Sequence, residues 1–176
     1  MHRSLGLLAI ALAVAGVAAC SDSSGPVETT NVSMQDQCDA ASFNAALGAG
    51  TCSTQGSVTF AQFNAELNSS HQVAAWRYVP STLEIHVGQA ITAVNFGGET
   101  HTFTEVDQFG GGIVPSLNQA SGNTTEAPEC AQLTAADMVA PGAAFTADVA
   151  TAADVGTERY QCCIHPWMRA VVTIKS

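Results

Sequence analysis

A chain of 176 residues, 47% hydrophobic and only 11% charged, has material for one compact domain with an extension. Fifteen acidic residues against five basic ones give a formal net charge of −10. That balance argues against nucleic acid and against charge-driven binding to anionic lipid; it suits solubility or a basic partner.

Residues 1–19 read as a signal peptide. His2 and Arg3 open it, and a continuous apolar run follows from Leu5 to Ala19, short and rich in small residues. It ends in Val17-Ala18-Ala19-Cys20, which resembles a bacterial lipobox in which the cysteine is lipidated and becomes the first mature residue. Ser21 after it resembles retention at an outer membrane where two membranes exist. Residues 20–33 are polar and read as a flexible, core-free tether. The expected location is periplasmic or at the cell surface, with membrane contact only through the lipid.

Residues 34–70 read as a helical appendage. Asp39 is placed to cap a turn carrying Phe43, Ala46 and Leu47, and Gly48-Ala49-Gly50 breaks it. Thr59 and Gln62 form a capping box ahead of Phe60, Phe63 and Leu67 on one face. From residue 71 the period changes to two. Strands are expected over 73–79, 83–87, 91–96, 102–106, 145–149, 157–162 and 171–175, which predicts a mainly β, antiparallel sandwich over 71–176. Residues 107–143 form a long irregular insertion, of the kind that is functional or cross-linked. A short helix is expected near Thr134. Gly110-Gly111-Gly112 lacks the strand-to-helix context and lysine of a phosphate loop.

The chemistry gathers in Tyr160-Gln161-Cys162-Cys163-Ile164-His165-Pro166-Trp167-Met168-Arg169. Cys162, His165 and Met168 put a thiol, an imidazole and a thioether into one turn at a strand end. His101 is the candidate second imidazole. One thiolate, two imidazoles and a weak axial thioether suit copper cycling between Cu(I) and Cu(II). A zinc half-site, or a disulfide beside a surface histidine, is the competing reading, although zinc normally wants a second ligand pair. An exported chain keeps its other cysteines oxidised. With Cys20 lipidated and Cys162 a ligand, Cys38, Cys52, Cys130 and Cys163 remain, and they allow three pairings. The short loop favours Cys38–Cys52, which leaves Cys130–Cys163.

This stretch resembles the copper-binding loop of the cupredoxins, the type 1 blue copper proteins, most closely the short loop of the amicyanin type. Ile91-Thr92-Ala93-Val94-Asn95, followed by His101, is similar to the strand, asparagine and first ligand of the amicyanin and plastocyanin types. The resemblance covers roughly residues 72–176. It implies a Greek-key sandwich holding one copper ion through His101, Cys162, His165 and, axially, Met168. It also implies a single-electron carrier, not an enzyme, that meets redox proteins at the His165 ring edge and a patch around Pro166 and Trp167. Three positions depart from the family: Cys163 doubles the cysteine, the 107–143 segment lengthens the gap, and Thr102 stands where many relatives have asparagine. Thr102 is expected to brace the cysteine loop through its hydroxyl. His71 and His86 read as exposed. Glu99 reads as a solvated loop carboxylate, or as a group near the copper. The alternatives are a copper carrier or sensor, a copper-free interaction module, and a mononuclear copper enzyme using Glu99.

Overall fold

The computed structural model describes residues 26–176. The expected signal peptide, Cys20 and the first part of the tether lie outside these residues. Two four-stranded sheets face each other, with helices at one end. The first sheet is built from β1 (Thr29–Gln35), β2 (Arg77–Val79), β4 (Ala90–Asn95) and β6 (Ala144–Thr146), in the order β2-β1-β4-β6. The second holds β3 (Thr82–His86), β5 (Thr104–Glu105), β7 (Gly156–Gln161) and β8 (Arg169–Lys175), in the order β3-β8-β7-β5. The mainly β sandwich is therefore present. Its sheets are mixed, because β1 runs parallel to β4 and β3 parallel to β8. Both pairs are joined through long excursions, which a parallel pair requires and a hairpin cannot supply.

β1 overturns part of the tether reading. Thr29-Thr30-Asn31-Val32-Ser33-Met34-Gln35 looks polar, yet Val32 and Met34 are fully buried. Alternation puts Thr30, Val32 and Met34 on the inward face and Thr29, Asn31, Ser33 and Gln35 on the other. The strand then lies inside its sheet, between β2 and β4. The boundary at residue 71 is also overturned, since this strand and the later ones share one sheet. At the other expected strand, Val73–Trp76 forms a turn closed by the Trp76 amide on the Val73 carbonyl, so β2 begins only at Arg77.

The helices form where expected. In α1 (Ala40–Leu47) the Asp39 carboxylate accepts from the Ser42 amide. In α2 (Phe60–Ser70) Thr59 and Gln62 make the capping box, and His71 ends the helix in the left-handed conformation. A disulfide joins Cys38 to Cys52 around α1. Phe43 meets Phe60 and Phe63 edge-on, with centroids 5.4 and 5.6 Å apart. Phe43, Phe63 and Leu67 belong to the same buried cluster as Val32, Ile91 and Val172, so the helices complete the sandwich core. The 107–143 insertion contains α3 (Pro115–Ala120) and two single-turn helices, one of them capped by Thr134 and Asp137. A disulfide from Cys130 to Cys163 ties it to the end of β7.

Candidate metal centre

Cys162 follows β7 directly, and the chain then turns back into β8. The turn is closed by backbone bonds at both ends: the Cys162 amide donates to the Met168 carbonyl at 3.0 Å, and the Met168 amide to the His165 carbonyl at 2.9 Å. Among the described residues Cys162 is the free cysteine, because Cys163 is bonded to Cys130. The doubled cysteine is thereby resolved into one available thiol and one structural one. The Cys162 sulfur accepts from the His165 amide at 3.4 Å and from the Thr102 amide at 3.5 Å.

His101 Nδ1 lies 3.8 Å from the Cys162 sulfur, and His165 Nδ1 lies 3.9 Å from it. The three donor atoms all lie within 4.8 Å of one another, and all three residues are buried. Met168 is buried in the same core cluster as Cys162, held by its two backbone bonds. Burial alone would raise the Cys162 thiol, but hydrogen bonds from both imidazoles hold it well below its ordinary value. Burial likewise opposes charge on His165, yet Cys162 and Glu99 push it up to about 10. A low-lying thiol next to two imidazoles is the chemistry of a site that gives up protons to bind a metal.

Each imidazole is held from behind by a buried carboxylate. His101 Nε2 stands 2.9 Å from Asp36 Oδ2. Asp36, 2% exposed, follows β1 and is itself fixed by the amides of Cys38, Gly98 and Glu99 at 2.9–3.1 Å. Burial would raise its carboxyl, but His101 and these amides keep it below the usual value. His165 Nε2 lies 3.5 Å from Glu99 Oε2, which also accepts from the Trp76 indole at 2.7 Å. With both Nε2 atoms facing carboxylates, each ring turns its Nδ1 toward the Cys162 sulfur, the side on which a metal would be held.

The surrounding backbone is clamped. The Asn95 amide group donates to the Glu99 and Val139 carbonyls, both at 2.8 Å, and Asn95 Oδ1 accepts from the Gly97 amide. A Cβ on Gly98 would lie 2.5 Å from the Cys38 sulfur and 2.3 Å from Thr54 Oγ1, so only glycine passes beside the first disulfide. Thr102 braces the cysteine loop as expected: its hydroxyl accepts from the Cys163 amide at 2.8 Å. Tyr78 in turn donates its hydroxyl to the Thr102 carbonyl.

The residues present fit a type 1 copper ion: one thiolate, two imidazoles with Nδ1 turned toward its sulfur, a buried thioether and, among the described residues, no second Cys–His pair of the kind structural zinc uses. No protein-family model matches the chain, and no curated protein sequence matches it. Among solved structures, it is similar to a purple cupredoxin from Nitrosopumilus maritimus, with 24% identity, 61% of this chain and 93% of that one covered, and a TM-score of 0.41. It is also similar to oxidised plastocyanin from Dryopteris crassirhizoma, with 15% identity, 83% and 100% coverage, and a TM-score of 0.42. A Cu(I) methionine-to-alanine mutant of amicyanin shares 19% identity over 59% of this chain and 78% of that one, with a TM-score of 0.39. These likenesses are distant.

Two sequence expectations change at the site. Glu99 is 7% exposed and braces His165 from behind, so it is neither a solvated loop carboxylate nor placed on the donor side of the imidazole. The His165 ring edge is not at the surface either, being 3% exposed. Trp167 lies 5.5 Å away edge-on and Trp76 at 6.4 Å, while Phe63 of α2 covers both indoles, at 6.0 and 4.8 Å. Pro166 is buried and Trp167 half-buried, so the expected docking patch lies under the helices. Asp36 was missed because no local pattern links it to a histidine 65 positions on; the Glu99–His101 spacing was visible but gave no sign of burial. His71 and His86 are exposed and lie outside the cluster.

Proposed function

We propose that this chain is an exported single-electron carrier holding one type 1 copper ion through His101, Cys162, His165 and, as the weak axial ligand, Met168. The carrying observation is the pair of Nδ1 atoms within 4 Å of one buried sulfur, each ring fixed from behind by a carboxylate. When bound, copper supplies reversible one-electron chemistry in a site that suits neither oxidation state fully. The protein's part is to fix the rings, keep the thiol deprotonated and exclude water. No side chain is assigned to transform a substrate.

Two disulfides fit an oxidising compartment, and among the described residues no helix is long and apolar enough to cross a membrane. Anchoring through a lipid on Cys20 is proposed from the sequence alone, and Cys20→Ser is expected to release the protein from the membrane fraction. The charge of −10 favours redox partners with basic surfaces, and added salt should then slow electron exchange with them.

Adding Cu(II) to the purified protein is expected to give an intense thiolate-to-copper absorption band. Cys162→Ser should abolish it, and the double variant Cys130→Ser/Cys163→Ser should keep it. A colourless wild-type protein would sink the proposal, and a band surviving Cys162→Ser would move the ligand. Ready loss of the metal to a chelator would favour a copper carrier over an electron carrier.

A further inference from the structure

His165 is buried, and among the described residues one cavity reaches its ring. A cavity of about 220 Å³ lies between the α1–α2 pair and α3, and His165 and Glu99 both line it. Phe43, Phe63 and Leu67 form its wall on one side, and Val114 and Leu117 on the other. Its outer residues include Leu47, 54% exposed, and the exposed Ser116, while Phe63, Glu99 and His165 at its inner end are buried. The cavity thus runs from the surface to a candidate ligand imidazole. A small molecule is of the size that such a cavity holds.

The chemistry of the walls narrows what enters. Apolar cavities of about 150 Å³ accept benzene, so this one takes a single ring with a small substituent. The inner end is not wholly apolar. Glu99 is more than nine-tenths buried, and its Oε2 is occupied by the Trp76 indole and faces His165. Among the described residues no donor reaches Oε1. A carboxylate oxygen is acceptor-only, so a ligand that displaces water from this end of the cavity must itself bring a donor for Oε1. An occupant with a hydroxyl at one end of an aromatic ring satisfies both features at once.

We propose that the cavity between α2 and α3 binds a small single-ring phenol, its ring between the aromatic wall of Phe43 and Phe63 and the Leu117 side, its hydroxyl donating to Glu99 beside His165. Resting on the copper reading, the bound phenol would give one electron through His165 to Cu(II) and its hydroxyl proton to Glu99, and would leave as a phenoxyl radical. Binding itself needs no metal.

Titration calorimetry of the purified protein with 4-methylphenol tests it, with toluene as the same shape lacking the donor. One saturable site is expected for 4-methylphenol and at least roughly tenfold weaker binding for toluene, the worth of a hydrogen bond to a buried charge. Leu117→Trp, which fills the cavity from its α3 side, should abolish binding. Val114→Phe, milder and nearer the rim, should weaken it, with the melting temperature of each variant confirming folding. Amide shifts on titrating wild-type protein should centre on Glu99, His165 and Phe63. No saturable binding, undiminished binding in both folded variants, or shifts centred elsewhere would overturn the site. Equal affinity for toluene would overturn the role of Glu99. A failed copper band with intact phenol binding would remove only the redox consequence, and a normal band without phenol binding would remove only the cavity.

Discussion

Asp36 contributes two negatively charged oxygens to a place where four groups need them: His101 Nε2 and the amides of Cys38, Gly98 and Glu99. Its loss frees the His101 ring to turn and leaves buried donors without partners. Asp36→Ala is expected to weaken copper binding by about 10- to 100-fold, read by competition with a chelator of known affinity. The four candidate donors, by contrast, were legible in the sequence. Three fall in seven residues at a strand end, and soft-ligand chemistry alone marks them. The two carboxylates behind the histidines were not legible, because burial of an Asp or Glu leaves no local trace when its partners come from elsewhere in the chain. Cys163 lay between these cases: the sequence showed a doubled cysteine, and only the bond to Cys130 shows which sulfur is free.

At the scale of elements, α2 does more than staple an appendage. Phe63 packs on Phe43, Trp76 and Trp167, directly over the His165 side of the centre. Phe63→Ala should lower unfolding free energy by about 3–5 kcal/mol in denaturant titrations, as large-to-small changes in an aromatic core do. It should also make a copper-loaded site more open to quenching by external reductant. α1 and α2 were readable because caps and apolar spacing agree within each segment. β1 was not, since only Val32 and Met34 of its seven residues are apolar and buried, and the pairing that makes it a strand comes from β2 and β4. The 107–143 insertion shows tight packing of backbone on backbone: a Cβ on Gly112 would sit 1.9 Å from the Cys163 carbonyl oxygen. Gly112→Ala is therefore expected to push α3 and the Cys163 loop apart, with a drop in melting temperature and a shifted copper absorption band.

Across the whole molecule the acidic excess is not evenly tolerated. Glu105, an exposed residue beside Glu158, Asp154, Asp107 and Glu129, has its carboxyl raised above the usual value by partial desolvation first and then by these like charges. The folded state therefore holds that proton more tightly than the unfolded chain. The Glu105 contribution to stability is undiminished below about pH 4.5 and declines as pH rises through the raised value. Glu105→Gln should accordingly raise the melting temperature at pH 7 and leave it nearly unchanged at pH 4. The mainly β class was readable from period-two segments, but parallel pairing was not, since the pattern of one strand carries no information about its neighbour's direction. That direction has a spatial result. β1 pairs Thr29 with Ala90 and Met34 with Asn95, so it runs toward the metal centre, while β8 starts beside Met168 and runs away from it to Lys175. At roughly 3.3 Å per residue, the entry at Thr29 and the exit at Lys175 both stand about 20 Å from the centre, at the opposite pole. A support holding the chain at Thr29 or at Lys175, whether an electrode, a bead or a bilayer, would present the same face outward.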